Sequence, residues 1–357
     1  MQAVPDLSAL FDGVPDGGLS VGEGGSVRPW RLPVADLDLF VPTQGNAHHA
    51  SSSNGILVQA ANSSGVRIVL SSDTDRLRMV VQPRFVYSGA VFDLVADNVL
   101  LSTQACPPEK TYTPDPSLDQ MTAMQEMFKQ MQEWSALDAQ PLTVEFEGIA
   151  AAGAERLELW LPHRATVTIL SLEVAPGAAV APVKDLRPRW ITHGSSITHC
   201  AEAHSPARTW PATAARLADV RLYSLGFGGQ CHFDQAVARV IRDEPADCIS
   251  LKYALASASY ILPNLSLKGD LIVCCMGRRL GINTHNLASL SNRTFATAAL
   301  GFVLTVRDGH PTTPLVLISP IFGSWREEIP AGANNVEEMP QPGAAAWPVR
   351  RQPPAPS

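Results

Sequence analysis

The residues in this chain best placed to do chemistry are Ser195 and Ser196, in the run Trp190-Ile191-Thr192-His193-Gly194-Ser195-Ser196-Ile197-Thr198-His199. A short apolar, β-prone stretch from Arg189 to Thr192 leads into Gly194-Ser195-Ser196, and a helix-like segment follows from about Arg208 to Leu217. A strand that ends on glycine and small hydroxyl residues before a helix can expose a serine at its carboxyl end. Helix N-terminal N–H groups lie close to such a position and can stabilise a developing oxyanion. Taken alone, Gly-Ser-Ser is most often a serine-rich turn, so the elements around it have to decide.

From about residue 187 those elements alternate strand and helix. Strands are expected at Arg189–Thr192, Arg221–Leu225, Asp247–Leu251 and Leu315–Ser319, with helices at Thr209–Leu217, Phe233–Arg242 and Thr294–Arg307. This pattern makes a parallel sheet covered by helices on both faces. In such sheets ligands sit beyond the carboxyl ends of the strands. Ser196 and Gly229 fall just past those ends, and Asn283 joins them if residues 253–279 are set aside.

These blocks carry a resemblance. Gly194-Ser195-Ser196-Ile197-Thr198 resembles the first block of the SGNH (GDSL-type) esterase and acylhydrolase superfamily, with Ser195 where many members carry Asp. Leu225-Gly226-Phe227-Gly228-Gly229-Gln230-Cys231 resembles the second block, and Gly281-Ile282-Asn283 the third. The resemblance covers residues 187 to 325. It implies Ser196 as nucleophile, with the Ser196 N–H, the Gly229 N–H and the Asn283 side chain as oxyanion donors. Gly228 replaces Gly229 if the second block is shifted by one.

The implied activity is cleavage of small esters, carbohydrate acetyl esters among them, through a serine acyl-enzyme. An acyltransferase of the same fold and a non-catalytic binding or decayed protein are the alternatives. No metal or organic cofactor is implied.

Two departures from the family bear on activity. The third strand should run directly into Leu280-Gly281-Ile282-Asn283, but residues 253–279 intervene without a sustained hydrophobic period. They read as a translated intron or gene-model error, with a genuine surface insertion as the alternative. The second departure is the fourth block, Asp-x-x-His, which is missing: no histidine follows His310. After Glu328 the composition decays into a Pro/Ala-rich stretch that cannot bury a core, the pattern of a frameshift or mis-splice. His310 belongs to the amino edge of the sheet, opposite the site, and His193 and His199 read as satisfied polar neighbours of the serine. Turnover by this chain is therefore expected to be impaired.

Before residue 175 the pattern is different. Apolar–polar alternation recurs at Asp36–Val41, Gly55–Gln59, Val66–Leu70, Arg76–Gln82, Val91–Val95, Leu142–Phe146, Arg156–Leu161 and Thr166–Leu170, which suits an antiparallel β-sandwich. Met121, Met124, Met127, Phe128, Met131 and Trp134 fall at helical spacing. That stripe is a packing face or a lid over an acyl pocket.

The expected fold is thus an N-terminal antiparallel β-sandwich followed by a truncated SGNH-type (flavodoxin-like) three-layer α/β/α domain. Its parts are a flexible segment (1–28), the accessory sandwich (29–174), a linker (175–186), the α/β domain (187–330) and a disordered tail (331–357).

Composition limits partners and place. With 357 residues, 45% of them hydrophobic, the chain can bury a large core. A net charge of −7 without a basic run argues against nucleic acid. No apolar stretch reaches the roughly 18 residues of a membrane helix, and no signal peptide is evident at Met1. Six cysteines without metal-site spacing suit reduced thiols and a cytoplasmic location. The expected partner is a small-molecule or carbohydrate ester; the oligomeric state is left open.

Overall fold

The computed structural model describes residues 1–40, 55–84, 89–107, 140–149, 153–252, 271–274 and 292–318, together with 113, 115–119, 122, 123, 126 and 130. The methionine stripe and the tail both fall wholly outside these residues.

Among the described residues, twelve strands precede the parallel sheet. They are β1 (Gln2–Ala3), β2 (Phe11–Asp12), β3 (Leu19–Val21), β4 (Val27–Pro29), β5 (Arg67–Ser72), β6 (Arg76–Pro83), β7 (Ala90–Ala96), β8 (Val99–Cys106), β9 (Leu142–Glu147), β10 (Leu157–Trp160), β11 (Val167–Val174) and β12 (Val180–Pro182). They form two antiparallel sheets, ordered β3-β4-β11-β6-β9 with β1 on β11, and β12-β5-β10-β7-β8 with β2 on β5. Both sheets contribute to one core. Leu77, Met79 and Val81 of β6 and Val167 and Ile169 of β11 meet Ile68 and Leu70 of β5 and Phe92 and Leu94 of β7. The alternation along β6, buried at every second residue, is the period-2 signal expected of a strand with one wet face.

Several expectations shift here. Residues 1–28, read as flexible, supply β1 to β4, because Val4, Leu7 and Leu10 bury themselves in the antiparallel core. Asp36–Val41 alternates as a strand would, but Val34–Leu39 is a 3-10 helix behind Pro33. Gly55–Gln59 is helix α1 (Gly55–Ala61), since the run continues into Ala60-Ala61 and buries Ile56 and Ala60 one helical turn apart. Leu32, Phe40, Ile56 and Ala60 join the core of the following α/β unit rather than that of the antiparallel sheets.

The second unit is a five-stranded parallel sheet, ordered β14-β13-β15-β17-β16. Its strands are β13 (Arg189–Gly194), β14 (Arg221–Gly226), β15 (Cys248–Lys252), β16 (Leu271–Cys274) and β17 (Leu315–Ile318). Its helices are α2 (Ser196–His199), α3 (Trp210–Leu217), α4 (Gln235–Asp243) and α5 (Asn292–Gly309). Alternate residues of β14 split between the faces. Tyr223 and Leu225 join Val237 and Ile241 of α4 and Phe302 and Val306 of α5, while Leu222 packs with Ala212 and Ala215 of α3. The fold is therefore mixed α/β with three layers. β16, inside the segment 253–279, pairs in parallel with β17 at the sheet edge.

Trp160 and Val95 of the antiparallel sheets pack on that same α3 face, and ion pairs reinforce the seam. Asp12 pairs with buried Arg67 and, at 3.1 Å, with Arg221. Arg67 also donates to the Leu222 carbonyl at 2.9 Å. Burial alone would raise the Asp12 carboxyl, but Arg67 and Arg221 outweigh it and lower it to about 2. Asp12→Ala should cost roughly 3 kcal/mol at pH 7, because it strips a buried cation of its nearest partner. A folded pKa below the unfolded value gives stability that is present above 3.8 and lost as pH falls toward 2. Denaturant titrations at pH 7 should therefore show the variant less stable by about that amount.

Candidate active site

The parallel register aligns the carboxyl ends of the strands. Gly194 lies opposite Gly226 on one side and Lys252 on the other, and Lys252 lies opposite Ile318. Two glycines at this edge let the first helical turn approach closely. A Cβ on Gly226 would sit 2.3 Å from the His199 nitrogen, and one on Gly194 would sit 2.2 Å from Thr198 Oγ1. Either contact is too close for a real side chain, so α2 can rest on the strand ends only because both residues are glycine.

Ser196 is the first residue of α2 and is half-buried at this edge. Ser195, the residue before it, is 1% exposed and its Oγ has no hydrogen-bond partner among the described residues. Of the two serines, Ser196 is the one a substrate can reach. Cys200 closes the turn in a left-handed conformation and donates its N–H to the Ser196 carbonyl at 2.8 Å.

Beyond the β13–β14 pairing, the second block is tied to the first by a hydrogen bond from the Phe227 N–H to the Gly194 carbonyl at 2.8 Å. Ser196 is two residues beyond Gly194 and Gly229 is two residues beyond Phe227, so both loops leave the same junction. Gly229 has φ +68, with open space where a Cβ would be. The Gly228 N–H is engaged by Gln59 Oε1 at 3.1 Å. No described residue accepts the Gly229 N–H. Asn283 and the rest of Leu280-Gly281-Ile282-Asn283 lie outside the described residues.

The histidines divide by environment. His193 donates Nδ1–H to the Leu225 carbonyl at 2.6 Å and stacks on Phe302. Burial, with the charge of Arg31, lowers it to about 4. His199 donates Nε2–H to the His163 carbonyl at 2.6 Å, and burial lowers it to about 3. Both are neutral at pH 7 but too weakly basic to drive proton abstraction from a serine. His310 lies at the opposite edge, donating Nε2–H to the Ile241 carbonyl at the end of α4 at 2.7 Å.

His232 does not stand out in the sequence. It is half-buried at the carboxyl edge and donates Nε2–H to the Gly229 carbonyl at 3.0 Å. Asp234 is close by; burial raises its carboxyl above the usual range, against the lowering influence of the His232 charge. The only sequence signal for either residue is its place just after the Gly228-Gly229 pair.

Among the described residues no cluster of His, Cys, Asp and Glu could hold a metal ion, and no helix is long and apolar enough to cross a membrane. Cys106, Cys200, Cys231 and Cys248 are free thiols.

An α/β sheet with a Gly-Ser-Ser turn and a Gly-Gly turn at its carboxyl edge, behind two antiparallel sheets, shares its fold with solved structures of an acyltransferase and of a GDSL-like lipase. A salicylyl-acyltransferase, SsfX3, from a tetracycline biosynthetic pathway superposes with a TM-score of 0.64 and 26% identity, over 92% of this chain and 74% of that one. A protein described as a GDSL-like lipase from Bacteroides ovatus superposes with a TM-score of 0.51 and 16% identity, over 83% of this chain and 75% of that one. This second likeness is one of fold. No protein-family model and no curated protein sequence matches the chain.

Proposed function

We propose that this chain is built for acyl transfer through Ser196. The observation that carries the reading is the pairing of an accessible serine at the first turn of α2 with the uncommitted Gly229 N–H, both leaving the Gly194–Phe227 junction. In the reaction, Ser196 Oγ attacks the carbonyl carbon of an ester while its proton passes to a base. The tetrahedral oxyanion is held by the Ser196 and Gly229 N–H groups and the Asn283 side chain. Collapse expels the alcohol, which leaves with a proton, and the acyl-enzyme is resolved by water or a second alcohol.

Removing one oxyanion donor of this kind costs on the order of 10²–10³ in rate. Attack by a serine without a strong general base is slow, so slow turnover through Ser196 is expected of a chain whose described histidines at this edge are mostly buried and weakly basic.

Hydrolysis of small acyl esters, carbohydrate acetyl esters included, is the primary reading. Transfer to an alcohol is the second, favoured by the likeness to an acyltransferase at 26% identity. The discriminating experiment is product analysis with p-nitrophenyl acetate and p-nitrophenyl salicylate, with and without glycerol as acceptor. A hydrolase yields the free acid whatever the glycerol concentration; a transferase yields the glyceryl ester at the acid's expense. Release of p-nitrophenol no faster than in buffer removes both readings.

A further inference from the structure

Arg31 is fully buried, yet among the described residues its hydrogen-bond acceptors are all backbone carbonyls. Its Nε donates to Asn62 O at 2.7 Å, Nη1 to Gly226 O at 2.7 Å and Ser224 O at 3.2 Å, and Nη2 to Gln59 O. The guanidinium lies over the Phe227 ring at 4.9 Å. Its own backbone is tied in as well: Tyr223 Oη–H donates to Arg31 O at 2.8 Å, and Arg31 N–H to Ala60 O at 2.9 Å. Burying a cation is expensive unless its donors are satisfied. Here the cost is met by fastening the end of β14 to α1.

The other end of the same strut is Gln59, on α1, whose Oε1 accepts the Gly228 N–H at 3.1 Å. Gly55, at the start of α1, lies so close to Gln230 that a Cβ there would sit 2.7 Å from its side chain. Arg31 and residues 55–62 therefore grip the turn Phe227-Gly228-Gly229-Gln230 at both ends. That turn needs an external hold. Gly228 and Gly229 have no side chains, Gly229 has positive φ, and a Gly-Gly pair rotates its peptide planes freely.

We infer that Gln59 and Arg31 are positioning residues for the oxyanion turn. Gln59 occupies the Gly228 N–H and so orients the next peptide, leaving the Gly229 N–H as the donor presented to substrate. The inference rests on the acyl-transfer reading of Ser196 and Gly229. It also explains why a segment so distant in sequence is built into the α/β core.

The test uses Gln59→Ala and Gln59→Glu in the full chain, because a carboxylate oxygen can still accept the Gly228 N–H. Two readouts are taken: hydrogen exchange of the Gly228 amide, and kcat against KM with p-nitrophenyl acetate. The expected result is Gly228 exchange about tenfold faster in Gln59→Ala, with Leu222–Leu225 exchange unchanged. With it, kcat should fall about tenfold at constant KM, less than the loss of a whole donor. Gln59→Glu should restore both.

Unchanged Gly228 exchange in Gln59→Ala overturns the inference. So does released Gly228 exchange with an unaltered kcat, or a Gln59→Glu protein no better than Gln59→Ala. If the unaltered chain never acylates but Gly228 is released by Gln59→Ala, the acyl-transfer reading fails and the strut stands.

Discussion

Ser196→Ala should abolish ester turnover, by roughly 10³-fold or more, while leaving the fold intact. In serine hydrolases removal of the nucleophile costs up to about 2 × 10⁶ in kcat when the rest of the machinery is present. A chain with slow basal turnover has less to lose, so the variant should fall to the buffer rate. Ser196 is half-buried and begins a four-residue helix, so removing its hydroxyl should change stability by no more than about 0.5 kcal/mol. Ser195→Ala is the matched control. Its Oγ is buried without a partner among the described residues, and deleting an unsatisfied hydroxyl is neutral or slightly stabilising. Steady-state rates and melting temperatures of both variants check this: loss confined to Ser196→Ala is expected, and equal loss in both contradicts it.

The second large effect is acid unfolding. His163, His193 and His199 are each at most 2% exposed, and burial lowers them to about 4, about 4 and about 3. Their folded values lie below the unfolded value of 6.5, so the unfolded chain takes up protons first as pH falls. Stability is fully present above about pH 6.5 and is lost progressively toward the folded values.

By pH 4 each histidine withdraws roughly 3 kcal/mol, because every tenfold difference in proton affinity between the folded and unfolded chain is worth about 1.4 kcal/mol. Three together approach the entire stability of an ordinary domain, about 5–15 kcal/mol. Circular dichroism melts from pH 8 to 4 should show a level melting temperature above pH 7 and a steep fall below 6, with unfolding at room temperature before pH 4. A melting temperature at pH 4.5 within a few degrees of that at pH 7.5 contradicts this account.

The parallel sheet was legible because each of its main strands is an apolar run bounded by breakers. Arg189–Gly194, Arg221–Gly226, Cys248–Lys252 and Leu315–Ile318 lie within a residue or two of the expected ranges. The helices Trp210–Leu217 and Gln235–Asp243 were legible for the same reason. Strands of two or three residues, such as β1 to β4, are too short to carry a period, and only their tertiary pairing defines them.

Residues 34–40 and 55–61 misled in the other direction. Their alternation suited a strand, but Phe40, Ile56 and Ala60 had a large core to join, and packing overrode the local pattern. At the proposed site, the position of Ser196 and Gly229 just past the strand ends was readable from type and place. Gln59 and Arg31 were not: a charged residue between Trp30 and Leu32 in a proline-rich stretch reads as surface, and nothing local reveals that it reaches carbonyls of β14 far along the chain.

The most direct test of acyl transfer through Ser196 is to trap the adduct. The full chain is incubated with a fluorophosphonate, its intact mass is followed over hours, and the modified peptide is sequenced. The account predicts one adduct per chain, on Ser196, absent from Ser196→Ala and retained in Ser195→Ala. No adduct under conditions that label a known serine esterase, or an adduct on Ser195 or a cysteine instead, would contradict it.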